Sequence, residues 1–474
     1  MSEESLRENL LEKERFSCRT RLLLAACSAF MSSISFGLVL SYSSPALPDI
    51  RTRIPISDSQ NDWFGSFVSI GAAFGGLAGG QLMNIIGRKG AMLLGAFGYT
   101  SGFLLIQATL IIEVMFVGRF LTGVATGVSA VVVPVFLSEV SPPDIRGVIN
   151  TLGTVAVTSG VLLDFVLGKW LNFQWLAVAC TVPSVILVLT MPFVAETPRW
   201  LLQTGKPQEA IKAFRFYQGP DVKDDFDALT VNVANVNKFV LQDFKQPYIY
   251  RPFLITLLGM LLQQFSGIII MLYYAQDIFA TAGSTIDAGL SSIIIGVVQV
   301  ASVLVTVFLT DRLGRKALML LSTIVSCVSL VVMGLFYHLK ESHGHSFVNS
   351  YGWLPLAALC LFMFGYSVGL GPLPWLLMGE MLPLRIKGFA TGFSTAFNFS
   401  CAAIIAREYH GMIDALGNDG IYWFYAGFML AGFVLVLIFQ PETKGKTLEE
   451  IEAIFGRQGV VVSRTDDQYA VFTG

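Results

Sequence analysis

Charge is scarce in this chain, and the scarcity decides its class. Only 14% of the 474 residues are Asp, Glu, Lys or Arg, while 54% are hydrophobic and the mean hydropathy is +0.65; a soluble domain averages about 25% charged residues. Such a composition belongs in a bilayer. No basic excess exists either, because the formal charge is -2 and the pI is near 6.1, so nothing points to a nucleic-acid partner. Cysteine is thin and dispersed. Cys18, Cys27, Cys180, Cys327, Cys360 and Cys401 form no CxxC pair, which favours free thiols packed among helices over a metal or disulfide framework. No metal-ligand spacing, nucleophile constellation or phosphate loop occurs, so enzyme activity has no support and no cofactor is expected. The segment from Met1 to Arg21 is charged and holds no cleavable apolar core, so no signal peptide is expected and the first apolar run directs insertion.

Long apolar runs are what the chain has in abundance. A spanning helix needs about 20 mostly apolar residues, and twelve such windows fall near 22–45, 63–84, 90–110, 112–136, 147–168, 174–194, 252–278, 287–310, 317–338, 353–379, 388–407 and 420–440. One long polar stretch, Glu196 to Arg251, separates the sixth from the seventh, and its run Gln208-Glu209-Ala210-Ile211-Lys212-Ala213-Phe214 predicts short amphipathic helices. The expected fold is an all-α membrane protein of twelve transmembrane helices in two six-helix halves. Its parts are a tail over 1–21, a half over 22–195, a linker over 196–251, a second half over 252–441 and a tail over 442–474. Basic residues orient it. With the termini and linker on one side, only Arg51, Arg53, Lys169, Lys340 and Arg407 fall on the other, and Arg119 falls inside a span. Both termini are therefore expected in the cytoplasm. In the second window Gly71, Gly75, Gly76, Gly79 and Gly80 are spaced to let helices approach closely.

The two halves repeat the same charged signatures in the same order. Gly87-Arg88-Lys89 recurs as Gly314-Arg315-Lys316, Glu139 with Arg146 seven residues on recurs as Glu380 with Lys387, and Glu196-Thr197 recurs as Glu442-Thr443, at offsets of 227, 241 and 246 residues. A duplicated membrane bundle is the body plan of an alternating-access transporter. All of these signatures lie at helix ends on the terminal side. Basic residues there can be purely topogenic; the repetition favours a bistable ion-pair layer that closes the cytoplasmic side and breaks when that side opens. The expected gate residues are Arg88, Glu139, Arg146, Glu196, Arg315, Glu380, Lys387 and Glu442.

Further motifs run through both halves. They are Ser43-Ser44-Pro45, Gly118-Arg119-Phe120, Ser138-Glu139-Val140-Ser141-Pro142 with Arg146-Gly147, Glu196-Thr197-Pro198-Arg199, Gln263-Gln264-Phe265-Ser266-Gly267, Asp311-Arg312-Leu313-Gly314-Arg315, Gly371-Pro372-Leu373-Pro374-Trp375 and Pro441-Glu442-Thr443-Lys444-Gly445. In this order the set, over roughly residues 20–455, resembles the sugar porter family of the major facilitator superfamily. Within it the chain most resembles the facilitative glucose transporters of the intracellular, dileucine-bearing class. The resemblance implies facilitative transport of a hexose such as glucose.

Candidate substrate contacts follow. Gln263 and Gln264 lie mid-span, where an unpartnered amide costs a few kcal/mol, and a side-chain amide offers a sugar hydroxyl both a donor and an acceptor. A helix–helix hydrogen bond is the alternative for both. The resemblance assigns the hexose to these glutamines and adds Gln299 and Asn398. Asn398 also heads the sequon Asn398-Phe399-Ser400, which a position inside a span should silence. Trp375 follows Gly369, Gly371, Pro372 and Pro374, so its helix should break and its indole can stack on a pyranose face. Thr154 stands where sugar porters place a binding glutamine, Ile269 replaces an asparagine, Phe399 a tryptophan, Gln174 an arginine, and Asn84-Ile85 an Asp-Arg pair. One or two lost hydrogen bonds cost about 1–3 kcal/mol of binding, so a sensor or scaffold with the same fold, a carrier of another polyol or disaccharide, and a proton-coupled symporter stay open.

Proton coupling in the family uses a first-helix aspartate, and here that place is Ser43. Asp164 is the acid inside the fifth window, expected near the outer interface in contact with water. Leu10-Leu11 after Glu8 resembles a dileucine sorting signal for an adaptor, so both the plasma membrane and an endosomal or lysosomal membrane stay open. His338, His343 and His345 with Glu341 are expected in a solvated outer loop.

Overall fold

A helix starts well where something takes up the free N–H groups of its first turn. Ser57 and Gln60 form a capping box at the head of the second long helix, Asn172 accepts from Trp175 N at the head of the sixth, and Asp287 accepts from Leu290 N at the head of the eighth. In the computed structural model these helices belong to a series of twelve that are long and apolar enough to cross a membrane. The structure describes residues 3–142, 145–219, 226–227, 229–230, 244–283, 286–383, 385–446 and 448–456.

The first six spans are Cys18–Ser41, Asp58–Ile85, Gly87–Gln107, Ile112–Val140, Arg146–Gly168 and Phe173–Phe193, and the second six are Pro247–Tyr273, Ala288–Thr310, Arg315–His343, Leu354–Met381, Lys387–Arg407 and Tyr409–Phe439. Two short helices, Pro198–Gln203 and Pro207–Gln218, follow the sixth span where an amphipathic linker was expected. The twelfth span differs from expectation. Its helix begins eleven residues before the expected 420, at Tyr409, and turns at Gly417, whose φ is +79°. Polar residues at 408–419 lower the hydropathy there and hide the helix from an apolar window. Leu10 and Leu11 fall in the first helix, Glu3–Ser41, outside the residues whose side chains are described.

Spans 2 and 11, and spans 5 and 8, carry the main contacts between the halves. Glycine makes the first of these close. A Cβ at Gly75 would lie 2.1 Å from the Val124 carbonyl of span 4, and one at Gly76 would lie 2.8 Å from Thr395 of span 11. Span 2 is thus wedged between its own half and the other.

The duplicated signatures build the same device twice. Glu196 accepts from the backbone N–H groups of Arg88 and Lys89 at the head of span 3 (3.2 and 3.1 Å), and Glu442 accepts from those of Arg315 and Lys316 at the head of span 9 (2.9 and 3.1 Å). A carboxylate at a helix N-terminus meets both free donors and the positive end of the helix dipole. The lysines return the contact, Lys89 Nζ to the Val194 carbonyl and Lys316 Nζ to that of Leu437. Arg88 then reaches Glu139 and Arg315 reaches Glu380, both at 2.9 Å. Glycine opens each device because φ is +83° at Gly87 and +88° at Gly314, and a Cβ would lie 2.2 Å from Glu196 Oε2 and 2.5 Å from Glu442 Oε2. Gly87→Ala or Gly314→Ala is therefore expected to cost about 1–3 kcal/mol, seen as a lowered thermal midpoint of the detergent-solubilised protein; Gly388→Ala, where a Cβ meets nothing within 4 Å, should leave that midpoint in place.

Candidate functional site

Two helices break where the halves face each other. Span 7 stops at Gln264, turns through Gly267 at φ +86°, and restarts as Ile268–Tyr273. Span 10 stops at Val368 and restarts at Leu373, with Pro372 and Pro374 at the new start. A broken helix leaves carbonyls without N–H partners, and in a membrane these must be met inside the protein. Gln263 meets them, its Nε2 donating to the carbonyls of Leu370 (2.9 Å) and Gly371 (2.7 Å).

From there an amide chain runs head to tail. Asn398 Nδ2 donates to Gln263 Oε1 at 2.8 Å and to the Met260 carbonyl at 3.2 Å, and Gln264 Nε2 donates to Asn398 Oδ1 at 2.8 Å. The chain ends on Gln264 Oε1, a buried acceptor with no partner. It borders a cavity of about 210 Å³ whose wall includes Gln263, Gln264, Gln299, Trp375 and Asn398 from the second half and Thr154 from the first. The structure thus gathers all six expected contact residues around one space. Two further departures noted in the sequence line it too: Ile269 and Phe399 join Phe36 and Val133 in an apolar wall. Trp375 is half-buried and packs with Phe36 and Phe399. Ser33, Ser129 and Asn150, which the sequence did not single out, add polar lining from the first half. Only the packing of spans 1, 4 and 5 shows that they face the same space.

The cavity reaches toward the end that carries the duplicated signatures, where Leu137 and Asn150 line it. The opposite end is closed by contacts between the halves. Arg51 pairs with Asp277 at 3.3 Å, Lys169 with Asp287 at 3.3 Å, and Ser44 Oγ accepts from Gln276 N at 3.2 Å. Ser69 and Tyr273 share a hydrogen bond of 3.1 Å, and Tyr273 and Tyr274 are fully buried.

The expected gate residues sit otherwise. Arg88–Glu139 joins spans 3 and 4, and Arg315–Glu380 joins spans 9 and 10, so each pair ties helices of one half. Arg146 is exposed at the start of span 5, while Lys387 donates to the Gly379 carbonyl at 2.7 Å. Glu139 and Glu380 are therefore held by the arginines of Gly-Arg-Lys. The solvated position expected for Asp164 is overturned. It is fully buried, with Cys180 Sγ 3.7 Å from its Oδ1, because spans 1 and 6 cover the last turns of span 5. Arg119, also fully buried, donates to the carbonyls of Phe64 (3.3 Å) and Val39 (3.2 Å) and to Ser43 Oγ (2.7 Å). The histidines expected in an outer loop are helical instead, because span 9 runs on to His343 and His345 opens the short helix His345–Tyr351; His338 contacts Asp419 at 3.0 Å.

A family model described as sugar (and other) transporter matches residues 19–455. The chain belongs to the sugar transporter family. It is a multi-pass membrane transporter of the major facilitator superfamily, and not an enzyme. The facilitated trehalose transporter Tret1 of Bombyx mori is 36% identical over 438 residues, 91% of this chain and 86% of that protein. The solute carrier family 2, facilitated glucose transporter member 8 of Mus musculus is 36% identical over 454 residues, 92% of this chain and 94% of that protein. The fold matches the xylose transporter XylE from E. coli in its partially occluded inward open conformation, with a TM-score of 0.77 at 19% identity over 90% of this chain and all of XylE.

The two signature-end carboxylates differ in their hold on a proton. Burial pushes Glu196 above the ordinary carboxyl range against the pull of the Thr197, Lys89 and Arg88 N–H groups, whereas at Glu442 the N–H groups of Lys444, Arg315, Lys316 and Thr443 outweigh burial and hold the carboxyl low. A raised carboxyl stabilises the fold as it takes up its proton; a lowered one does so only while ionised. On acidification toward about pH 4.3, wild type should therefore gain thermal stability over Glu196→Gln. The difference from Glu442→Gln should stay flat in that window and shrink only below it, which thermal midpoints measured against pH will check.

Proposed function

We propose that this chain is a uniporter that moves a hexose such as glucose down its gradient by alternating access, the two six-helix halves rocking about the central cavity, with both termini in the cytoplasm. One observation carries the reading. The cavity between the halves presents amides, hydroxyls and an aromatic plane, and no acid stands among its described lining residues. Amides and hydroxyls exchange hydrogen bonds with sugar hydroxyls without taking up a proton. Gln264 Oε1 is an acceptor ready for one hydroxyl, and Trp375 offers a face for the C–H side of a pyranose. The relatives include carriers of both a monosaccharide and a disaccharide, and the cavity is roomy enough for a hexose. The Arg-Glu pairs of the signature end serve as gate parts by holding each half rigid, so that it moves as one body.

Uptake of radiolabelled glucose, fructose and trehalose into vesicles tests this directly. Saturable glucose uptake without a proton gradient is expected, with Trp375→Ala and Gln264→Ala each losing about tenfold in kcat/KM, the equivalent of about 1.4 kcal/mol. Binding without flux would make the chain a sensor, and flux of trehalose alone would change the cargo. Uptake that rises steeply at acid outer pH and loses that rise in Asp164→Asn would replace uniport with proton coupling.

A further inference from the structure

The closed end of the molecule holds a cluster that neither half builds alone. Asp62, in the first turns of span 2, is only 2% exposed. Its Oδ1 lies 2.5 Å from His410 Nδ1 and 3.4 Å from the Tyr274 hydroxyl, and its Oδ2 lies 3.9 Å from Arg407 Nη1. Tyr274 follows span 7, Arg407 ends span 11, and His410 sits in the first turn of span 12. Three elements of the second half thus converge on one acid of the first. A carboxylate so buried is stable only with its partners in place.

Aromatic rings fix the geometry. Tyr274 stacks on Tyr409 at 4.4 Å, His410 meets Tyr409 edge-on at 5.0 Å, and Arg407 lies 5.0 Å over the Trp63 ring. The other charged groups facing the cluster are Asp58 on the helix of Asp62 and Arg51 with its partner Asp277, while Glu408, next to Arg407 in the chain, is exposed.

We propose that Asp62 and His410 are the proton-sensitive latch of this end, a bond between the halves that breaks each time the end opens and that protonation of His410 tightens. The proposal rests on the alternating-access reading above. When the halves part here, His410 loses the carboxylate and stands in water, where an imidazole titrates near about pH 6.5. Closed, the His410 ring lies against the Asp62 carboxylate, so a proton on the ring makes this contact an ion pair between the halves. Proton binding and closure therefore reinforce each other, and acid slows every step that needs this end open. The sign is opposite to that of a proton-driven porter, in which acid outside speeds uptake.

The test uses the full chain in proteoliposomes with the same pH on both sides, so that no proton gradient contributes. Glucose exchange by wild type should be about threefold to tenfold slower at about pH 5.5 than at about pH 8. His410→Gln should flatten that profile at the faster level, and His410→Lys, cationic throughout, should flatten it at the slower one. A second readout does not depend on the sugar. Nitroxides at Ser59→Cys and Ala415→Cys, both exposed at this end, in a background with the native cysteines replaced, report the separation of the halves by pulsed electron resonance. The longer-distance population should shrink on acidification with His410 present and hold steady in His410→Gln. A wild type without pH dependence, or a His410→Gln that keeps it in either readout, overturns the latch. If no sugar moves at any pH, the transport reading falls, and the label distances still decide the latch.

Discussion

Lipid offers no hydrogen bonds, so every polar group drawn into this bundle has to be met by another part of the chain. That constraint explains the structure more fully than the apolar packing does. Arg119 carries a full charge into the centre of the first half, and it is accepted there only because two backbone carbonyls and Ser43 turn toward it. Glu196 and Glu442 are tolerated because each ends on the free N–H groups of a helix that starts beside it. The break in span 10 would leave bare carbonyls at Leu370 and Gly371, and Gln263 is the side chain that covers them. The proposed sugar contact and the structural repair thus fall on the same residue. The amides that would hold a sugar are fixed in place by the backbone defect that makes room for it.

The same constraint separates what can move from what cannot. Bonds that satisfy buried groups inside one half, such as Arg88–Glu139 at 2.9 Å, are costly to break and give each half its stiffness. Bonds between the halves lie elsewhere. They gather at the closed end, where Arg51–Asp277 and Lys169–Asp287 keep substantial exposure, so water can replace each partner when the end opens. Along the middle of the seam of spans 2 and 11 the contact is glycine against backbone and small side chains, and the Arg407–Asp62 pair that also joins these spans lies at the closed end. Stiff bodies with a smooth seam and a replaceable seal at one end can rock.

How much of this was legible in the sequence depends on the distance over which each feature is decided. The spans follow from local hydropathy, and the broken tenth helix from Gly369, Gly371, Pro372 and Pro374, all within a few residues of the break. The break after Gln264 was not anticipated, because one glycine at position 267 in an apolar run reads as ordinary packing until its φ of +86° is seen. Depth across the bundle cannot be read along the chain at all. Asp164 sits near a helix end, which in sequence means proximity to water, yet spans 1 and 6 close over it. Hydropathy also conceals His410, since a polar start hides the first turns of span 12. The partners of Gln263, Gln264 and Asn398 depend on the register of spans 7, 10 and 11 together, a relation over more than a hundred residues. The sequence named six residues of the cavity wall without their order, and missed Ser33, Ser129 and Asn150.

Duplication proves less symmetric in space than on the page. In the second half Thr443 Oγ1 donates to Glu380 Oε2 at 2.7 Å, so that carboxylate is held from both sides by Arg315 and by Thr443. The matching atoms of the first half, Thr197 Oγ1 and Glu139 Oε2, are both buried without a partner. The first-half device therefore closes with one hydrogen bond fewer, and its capping acid, Glu196, is the one that burial makes easier to protonate. An unmade bond at a buried acceptor is worth about 1–3 kcal/mol, comparable to the coupling energies that shift a two-state protein. Two copies of one motif thus hold their helices with unequal strength. In a carrier that must loosen one end in order to turn, the weaker hold belongs to the half that supplies Thr154, Phe36 and Val133, while the half with the amide chain and Trp375 keeps the tighter grip on its own helices.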